Sequence, residues 1–124
     1  MKNSRPKHLD LTKISLPLPG FVSILHRFSG VLLFMALPLL LLMLQASLRS
    51  IETYTQLADL LRHPLGKLFL LALAWATLHH LCSGIRCLTI DMHWGTGLAQ
   101  ARASSKWVLI VSLALTALAG WRLW

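Results

Sequence analysis

Long apolar runs alternate with short polar segments along this chain. Three runs contain no Lys, Arg, Asp or Glu: Phe28 to Leu48, Leu68 to Ile85 and Trp107 to Trp121, which are 21, 18 and 15 residues long. A helix needs about 20 mostly apolar residues to cross a hydrocarbon core of roughly 30 Å. The first two runs meet this length, and the third does so if Lys106 and Arg122 extend toward the lipid headgroups. The pattern therefore predicts three transmembrane helices.

The runs predict one all-α integral membrane domain over residues 1–124. We expect an N-terminal cytoplasmic arm at 1–20, transmembrane helices at 21–48, 65–91 and 107–124, an outer loop at 49–64 and a cytoplasmic loop at 92–106. Prolines and a glycine in the arm argue against a helix before Phe21. Apolar residues at helical spacing in the outer loop predict a short interfacial helix that ends before Pro64.

Composition and charge narrow the class of protein. The chain is 56% hydrophobic and 13% charged, which excludes an ordinary water-soluble domain. Its 12 Lys and Arg outnumber 4 Asp and Glu. Such an excess of positive charge is typical of proteins that bind nucleic acid or anionic lipid. These cations punctuate apolar runs, which favours membrane lipid and argues against nucleic acid. Eight of them lie in or beside the arm and the second loop, so the positive-inside rule predicts a cytoplasmic N-terminus and an outside C-terminus.

Polar residues mark one face at the start of the first span. Ser23, His26, Arg27 and Gly30 follow the spacing i, i+3, i+4, i+7 and share a helix face. Ser and Arg can donate to carbonyl or carboxylate oxygens, and Gly lets a flat ring approach the backbone. The face is therefore a candidate ligand site. The alternative is that Arg27 only flanks the membrane and Ser23 only caps the helix.

A second polar face lies on the second span. His80, Gly84, Cys87 and Asp91 are spaced i, i+4, i+7, i+11. Helical rise places His80 roughly 16 Å from the cytoplasmic end, near mid-membrane. A haem iron or a helix-packing hydrogen bond would each occupy its imidazole, and the residues alone leave both readings open. His79 lies about 100° round the helix, so the two histidines are predicted to face different sites.

Three motifs together carry a family resemblance. RPKHLDL at 5–11, SILHRFSG at 23–30 and HLCSGIRCLTID at 80–91, in this order and on three spans, resemble the cytochrome b membrane-anchor subunit of succinate dehydrogenase, respiratory complex II. The resemblance covers nearly the whole chain. It implies a multi-pass protein of the bacterial cytoplasmic membrane that binds haem b together with a second small anchor subunit. It also implies docking of the flavoprotein and iron–sulfur subunits and a share in the ubiquinone reduction site, with succinate oxidation itself left to the other subunits.

The resemblance assigns roles to five residues. They are the axial haem ligand His80, the quinone-site residues Ser23 and Arg27, and the haem-propionate neighbours His26 and Arg86. One position departs from the family, which usually has a histidine where this chain has Cys87. The departure leaves the ligand assignment intact but puts a propionate or proton-path role at that position in question.

The depths of His26 and His80 in the membrane predict how many haem ligands this chain supplies. Helical rise places His26 about 8 Å shallower than His80, a mismatch that one iron does not span. We therefore expect the second axial ligand to come from the partner anchor. Two alternative functions stay open: the anchor of a quinol-oxidising fumarate reductase, and a haem-free structural anchor or small channel in which both polar faces only pack.

Overall fold

The computed structural model describes residues 16–124, which form four α-helices. They are α1 (Leu18–Arg49), α2 (Ile51–Arg62), α3 (Pro64–Asp91) and α4 (Leu98–Leu123). Helices α1, α3 and α4 are each long and apolar enough to cross a membrane. The three predicted spans are therefore confirmed as helices, and a helix, α2, is found where a short interfacial helix is predicted.

Helix α1 begins three residues earlier than predicted. Pro17 is its N-cap, with φ −64° and ψ 149°, and Pro19 occupies the first turn. The first turn of a helix needs no amide hydrogen, and the fixed φ of proline already suits it. These prolines therefore begin the helix rather than block it. The predicted arm at residues 1–15 lies outside the described residues.

Two tight turns connect α1 to α3 through α2. Ser50 Oγ accepts a hydrogen bond of 3.1 Å from the Thr53 amide, and Thr53 Oγ1 accepts one of 3.2 Å from the Ser50 amide. This reciprocal capping satisfies amides that the first turn leaves unpaired. At the other end, a Cβ on Gly66 would overlap the Leu60 carbonyl oxygen. Only glycine allows this close approach, which returns the chain into α3 immediately after α2.

Helix α4 extends well beyond the predicted span. It begins at Leu98, so residues 98–106, predicted as part of the second loop, are helical. The segment is rich in Ala, with Gln, Arg and Lys, which are good helix formers, and the Gln100 side chain accepts a hydrogen bond from the Gly97 amide at 3.4 Å. The remaining turn reverses through left-handed backbone at His93 and Gly95, whose φ angles are 61° and 72°. Hydropathy marks only the apolar part of this helix.

Small and polar side chains fill the contacts between the helices. The buried residues of the described chain are Val22, Ser29, Ala76, His79, Ser83, Ser105, Val108, Ser112 and Thr116. Large apolar side chains instead point outward, as expected where lipid replaces water. Small side chains let helix backbones approach closely, and hydroxyls can bond across the contact. Helix α3 packs against both α1 and α4, so its two faces meet different neighbours.

Candidate functional site

The predicted polar faces of α1 and α3 meet at His80. Its Nδ1 lies 3.2 Å from the His26 carbonyl oxygen and 3.2 Å from Ser29 Oγ. A carbonyl oxygen can only accept, so Nδ1 carries the ring proton and donates it. The lone pair of the imidazole is therefore on Nε2. Among residues 16–124, Nε2 makes no hydrogen bond.

Ser29 completes this arrangement. Its side chain is fully buried, and its hydroxyl donates to the His26 carbonyl at 2.8 Å while lying beside the His80 ring. Sequence reasoning did not select Ser29, because it followed the face that starts at Ser23. The available signal was the spacing from His26, since residues three apart on a helix are neighbours.

Gly30 is required by the position of the His80 ring. A Cβ on Gly30 would lie 2.9 Å from His80 Cε1 and 3.4 Å from Nδ1. No side chain fits at the first of these distances without moving the imidazole. The ring that approaches Gly30 is that of His80, and the expectation that a ligand ring lies there stays a prediction.

The rings of His26 and His80 are in contact at the edge of an open groove. Their ring centroids are 4.4 Å apart with planes at 36°, and His26 Nδ1 lies 3.9 Å from Cys87 Sγ. The groove has a volume of about 470 Å³. Its lining is mostly apolar and consists of His26, His80, Leu81, Gly84, Ile85, Cys87 and Leu88. The space is open to ligands or to another protein chain.

The expected difference in depth between His26 and His80 is wrong. The two rings are in contact, because helix packing sets the position of α1 along α3 and counting residues from assumed helix ends does not. The rings are tilted by 36° with their centroids 4.4 Å apart, so they are in direct contact with no gap between them. Axial ligands approach an iron from opposite sides of the porphyrin, so this arrangement does not present the two imidazoles as an axial pair.

The predicted quinone residues lie on α1, three positions before and one position after His26. Ser23 is half-buried and Arg27 is exposed. Among the described residues that line the groove, neither Ser23 nor Arg27 is included. The exposed guanidinium is accessible to a ligand or to a partner chain.

The Arg86 side chain points away from the side of α3 that contacts His26. Its Nε donates to Ser104 Oγ at 3.0 Å, and one terminal nitrogen lies 3.5 Å from the Ala101 carbonyl oxygen. These bonds direct the guanidinium toward the first turns of α4. The structure thus separates Arg86 from His26, although the family resemblance groups them.

His79 and His80 face different helices, as predicted. His79 is fully buried, with Nδ1 3.4 Å from Ser112 Oγ on α4 and Nε2 3.3 Å from Ser83 Oγ. Its ring stacks on Trp75, with centroids 5.4 Å apart. Sequence reasoning gave this residue no site. The missed signal was on α4, where Ser105, Ser112 and Thr116 recur on one helical face.

The described residues form no metal cage of their own. Within residues 16–124, no group of three His, Cys, Asp or Glu side chains is arranged to hold a metal ion. Cys82 and Cys87 are both free thiols. One oriented imidazole beside an apolar groove suits a cofactor that brings most of its own ligands.

Three apolar spans and a histidine-lined groove define a multi-pass helical membrane protein with a site between two spans. Residues 1–119 match the family described as succinate dehydrogenase/fumarate reductase transmembrane subunit. The chain belongs to that family. The resemblance drawn from the three sequence motifs is thereby confirmed.

Curated relatives cover almost the full length of the chain. The succinate dehydrogenase cytochrome b556 subunit of Coxiella burnetii is 38% identical over 125 residues, covering 100% of both chains. The subunits of the same name from Rickettsia felis and Paracoccus denitrificans are 34% and 30% identical, and each match covers 94% of this chain and 90% of the relative. The similarity therefore includes the arm, the loops and all three spans.

Proposed function

We propose that this chain is the haem b-binding membrane anchor of a succinate dehydrogenase and forms part of its ubiquinone reduction site. The orientation of His80 carries the proposal. Its Nδ1 donates to the His26 carbonyl at 3.2 Å, which leaves the Nε2 lone pair for a metal. Histidines that bind metals commonly donate their other ring N–H to a backbone carbonyl, which fixes the tautomer.

The residues of the groove fit a haem. Gly84 has no side chain, and a Cβ there would be in ordinary contact with His26 Nε2, at 3.8 Å. The surrounding side chains are mostly apolar and suit a porphyrin plane. When bound, haem supplies reversible one-electron redox chemistry. His80 would bind it through Nε2, while Ser29 and the His26 carbonyl hold the imidazole in orientation.

Of the two residues proposed to lie near the haem propionates, His26 is the better placed. Its imidazole lines the groove itself, and a ring nitrogen can donate to a carboxylate. Arg86 could pair with a propionate through its fork of donors. It would first have to give up its 3.0 Å bond to Ser104.

Ser23 and Arg27 would hold the quinone. Arg27 offers charged N–H donors, and the Ser23 hydroxyl can donate to the same carbonyl oxygen. Both donors favour the negative charge that develops on that oxygen during reduction, and they do so most strongly in a low-dielectric site. The exposure of Arg27 leaves its guanidinium available for this role.

Partner subunits complete the function. The groove is open on one side of α1 and α3, where a second small anchor subunit would supply the other axial histidine. The flavoprotein and iron–sulfur subunits would dock at the cytoplasmic face of the bacterial inner membrane, and succinate oxidation belongs to them. A fumarate reductase anchor would use the same residues in reverse, and the family description includes both enzymes. The names of the curated relatives favour succinate dehydrogenase.

The test is the visible spectrum of the assembled complex. His26 lies 4.4 Å from His80 and offers a nearby substitute imidazole, so the variants are His80→Ala alone and His80→Ala with His26→Ala. We expect the single variant to change the dithionite-reduced b-type band and the double variant to lose it. His93→Asn, in the exposed turn after α3, is the matched control and should keep the band. A native band in the double variant would overturn the proposal.

A further inference from the structure

The buried contact between α3 and α4 centres on His79. Both nitrogens of its ring have hydroxyl partners, Ser112 at 3.4 Å and Ser83 at 3.3 Å, and the residue is 0% exposed. The proposed haem and quinone sites do not use this imidazole. A buried polar group is retained at low cost only when it is fully paired, and His79 is paired across two helices.

Hydrogen bonds at two positions connect α3 to α4. In the described chain, the hydrogen bonds that side chains make between these helices come from His79 and Arg86. The two residues are seven positions apart and therefore share one face of α3. Arg86 is bonded near the start of α4, whereas His79 is bonded deep in the bundle. Together they define how α3 is rotated about its own axis.

This rotation determines where His80 points. Consecutive residues on a helix differ by about 100°, so holding His79 on Ser112 directs His80 to α1. The clearance there is small, because a Cβ on Gly30 would already lie 2.9 Å from the His80 ring. A ring about 6 Å from the helix axis moves by about 2 Å when the helix rotates by about 20°. A shift of that size breaks the 3.2 Å bond from Nδ1 to the His26 carbonyl.

We infer that His79 is a positioning residue for the haem ligand: its bond to Ser112 fixes the rotation of α3 and thereby sets the orientation of the His80 imidazole. The inference rests on the proposed function, in which His80 binds haem. His79 itself faces α4 and does not touch the groove.

Helix α4 provides matched controls on the same buried face. Ser105 and Thr116 are buried like Ser112. All three hydroxyls donate within α4: Ser112 to the Leu109 carbonyl oxygen at 3.2 Å, and Ser105 and Thr116 to the Ala101 and Ser112 carbonyl oxygens at 2.7 Å each. Only the Ser112 hydroxyl also bonds His79. Removing the Ser105 or the Thr116 hydroxyl leaves the His79 bond in place, and the Ala101 carbonyl oxygen that Ser105 releases still accepts from Arg86 on α3 at 3.5 Å. Removing the Ser112 hydroxyl takes away the bond to His79.

The experiment compares His79→Leu and Ser112→Ala with Ser105→Ala and Thr116→Val in the intact complex. Haem content, the midpoint potential of haem b and the electron paramagnetic resonance spectrum of oxidised haem are measured in each. That spectrum reports the orientation of the axial imidazoles. We expect both bridging variants to retain haem with a shifted spectrum and potential, and the two controls to match the wild type. His79→Gln, which can still bond Ser112, should move both signals back toward the wild type.

Each outcome separates this inference from the proposed function. Wild-type spectrum and potential in both bridging variants, with haem bound, would overturn the positioning role. A wild-type complex without b haem would overturn the proposed function instead. If His79→Leu does not assemble, Ser112→Ala decides alone, because it removes one hydroxyl and leaves the ring in place. Equal shifts in the control and bridging variants would also refute the inference, since packing in general would then be the cause.

Discussion

Adjacent histidines on α3 have different environments because each residue turns the helix by about 100°. His79 is enclosed between hydroxyls and Trp75. His80 has one nitrogen fixed by the α1 backbone and lines an open groove. Only the second arrangement leaves a lone pair available to a ligand. The burial that makes His79 suitable for packing therefore excludes it from direct chemistry.

Arg27 gives a prediction at the residue scale. In the intact complex, Arg27→Leu should lower quinone reduction by about 10²-fold, the usual effect of removing one oriented charged donor. Succinate oxidation by an artificial dye should stay near the wild-type rate, because that reaction does not need the quinone site. The two activities are measured on the same preparation.

Arg102→Leu is the control for this prediction. Arg102 is an exposed cation on the first turns of α4, so its removal changes the charge of the chain without touching α1. It should leave both activities near the wild-type rate. Unchanged quinone turnover in Arg27→Leu would contradict the assignment. Equal loss of both activities would show that Arg27 supports assembly rather than quinone.

At the scale of elements, helix bounds and helix contacts differ in how far the sequence predicts them. The three spans and α2 follow from hydropathy and periodicity, which depend on local sequence. Hydropathy predicts the helix ends less accurately. Leu18 begins α1 because Pro19 suits a first turn. Leu98 begins α4 because polar helix formers extend the apolar span. Hydropathy reports contact with lipid and does not mark where the helix stops.

The contacts between helices depend on information that single helices do not contain. Ser29 and Ser112 belong to the site region only through the alignment of α1 and α4 along α3. The same alignment brings His26 beside His80, against the depth obtained by counting residues. The shared face of His80 and Gly84 was predictable from spacing alone. The sequence also predicts the polar face of α1 that meets it. It does not predict which residues of the two faces are in contact.

Two glycines give a prediction about the contact of α1 with α3. Gly30→Ala should lower haem content, because its Cβ would lie 2.9 Å from the His80 ring. Gly84→Ala fits the chain itself, with its nearest contact at 3.8 Å. A change in the haem spectrum of Gly84→Ala would therefore report a cofactor lying against Gly84, which we expect. Haem content and the reduced spectrum are measured on purified complex.

Gly20→Ala is the matched control on α1. Its Cβ would have its nearest contact at 3.8 Å, with Pro17, and the residue lies in the first turn, away from His80. This variant should keep wild-type haem. A native spectrum in Gly84→Ala would place the haem elsewhere, and a native spectrum in Gly30→Ala would contradict the close contact.

For the whole molecule, the distribution of charge predicts orientation. Eight of the 12 cations lie on the side of the N-terminus and the second loop, and cations are retained in the cytoplasm. A reporter fused after Trp124 should therefore lie outside. Alkaline phosphatase, which folds only outside, should be active there, and green fluorescent protein exported by the same route should be dark. The opposite pair of signals would reverse the orientation and place the quinone residues at the other face.

The open groove also predicts a role for haem in assembly. One axial histidine from this chain and one from a second anchor would make haem a link between subunits. The free energy of haem binding would then stabilise the complex as well as the cofactor. This expectation follows from the His80 imidazole, whose Nδ1 is bonded to α1 and whose Nε2 is left for a ligand.

Ligation by His80 is tested most directly by chemical rescue. The complex is prepared with His26→Ala and His80→Gly, which removes both imidazoles of the groove and leaves a space where the ligand ring lay. We predict a weak or high-spin haem spectrum that returns to a low-spin b-type spectrum when free imidazole is added. A complex with His26→Ala and His93→Gly, whose second change lies in the exposed turn after α3, should show no such dependence on imidazole. A native low-spin spectrum in the first complex without imidazole, or no response to added imidazole, would contradict the account.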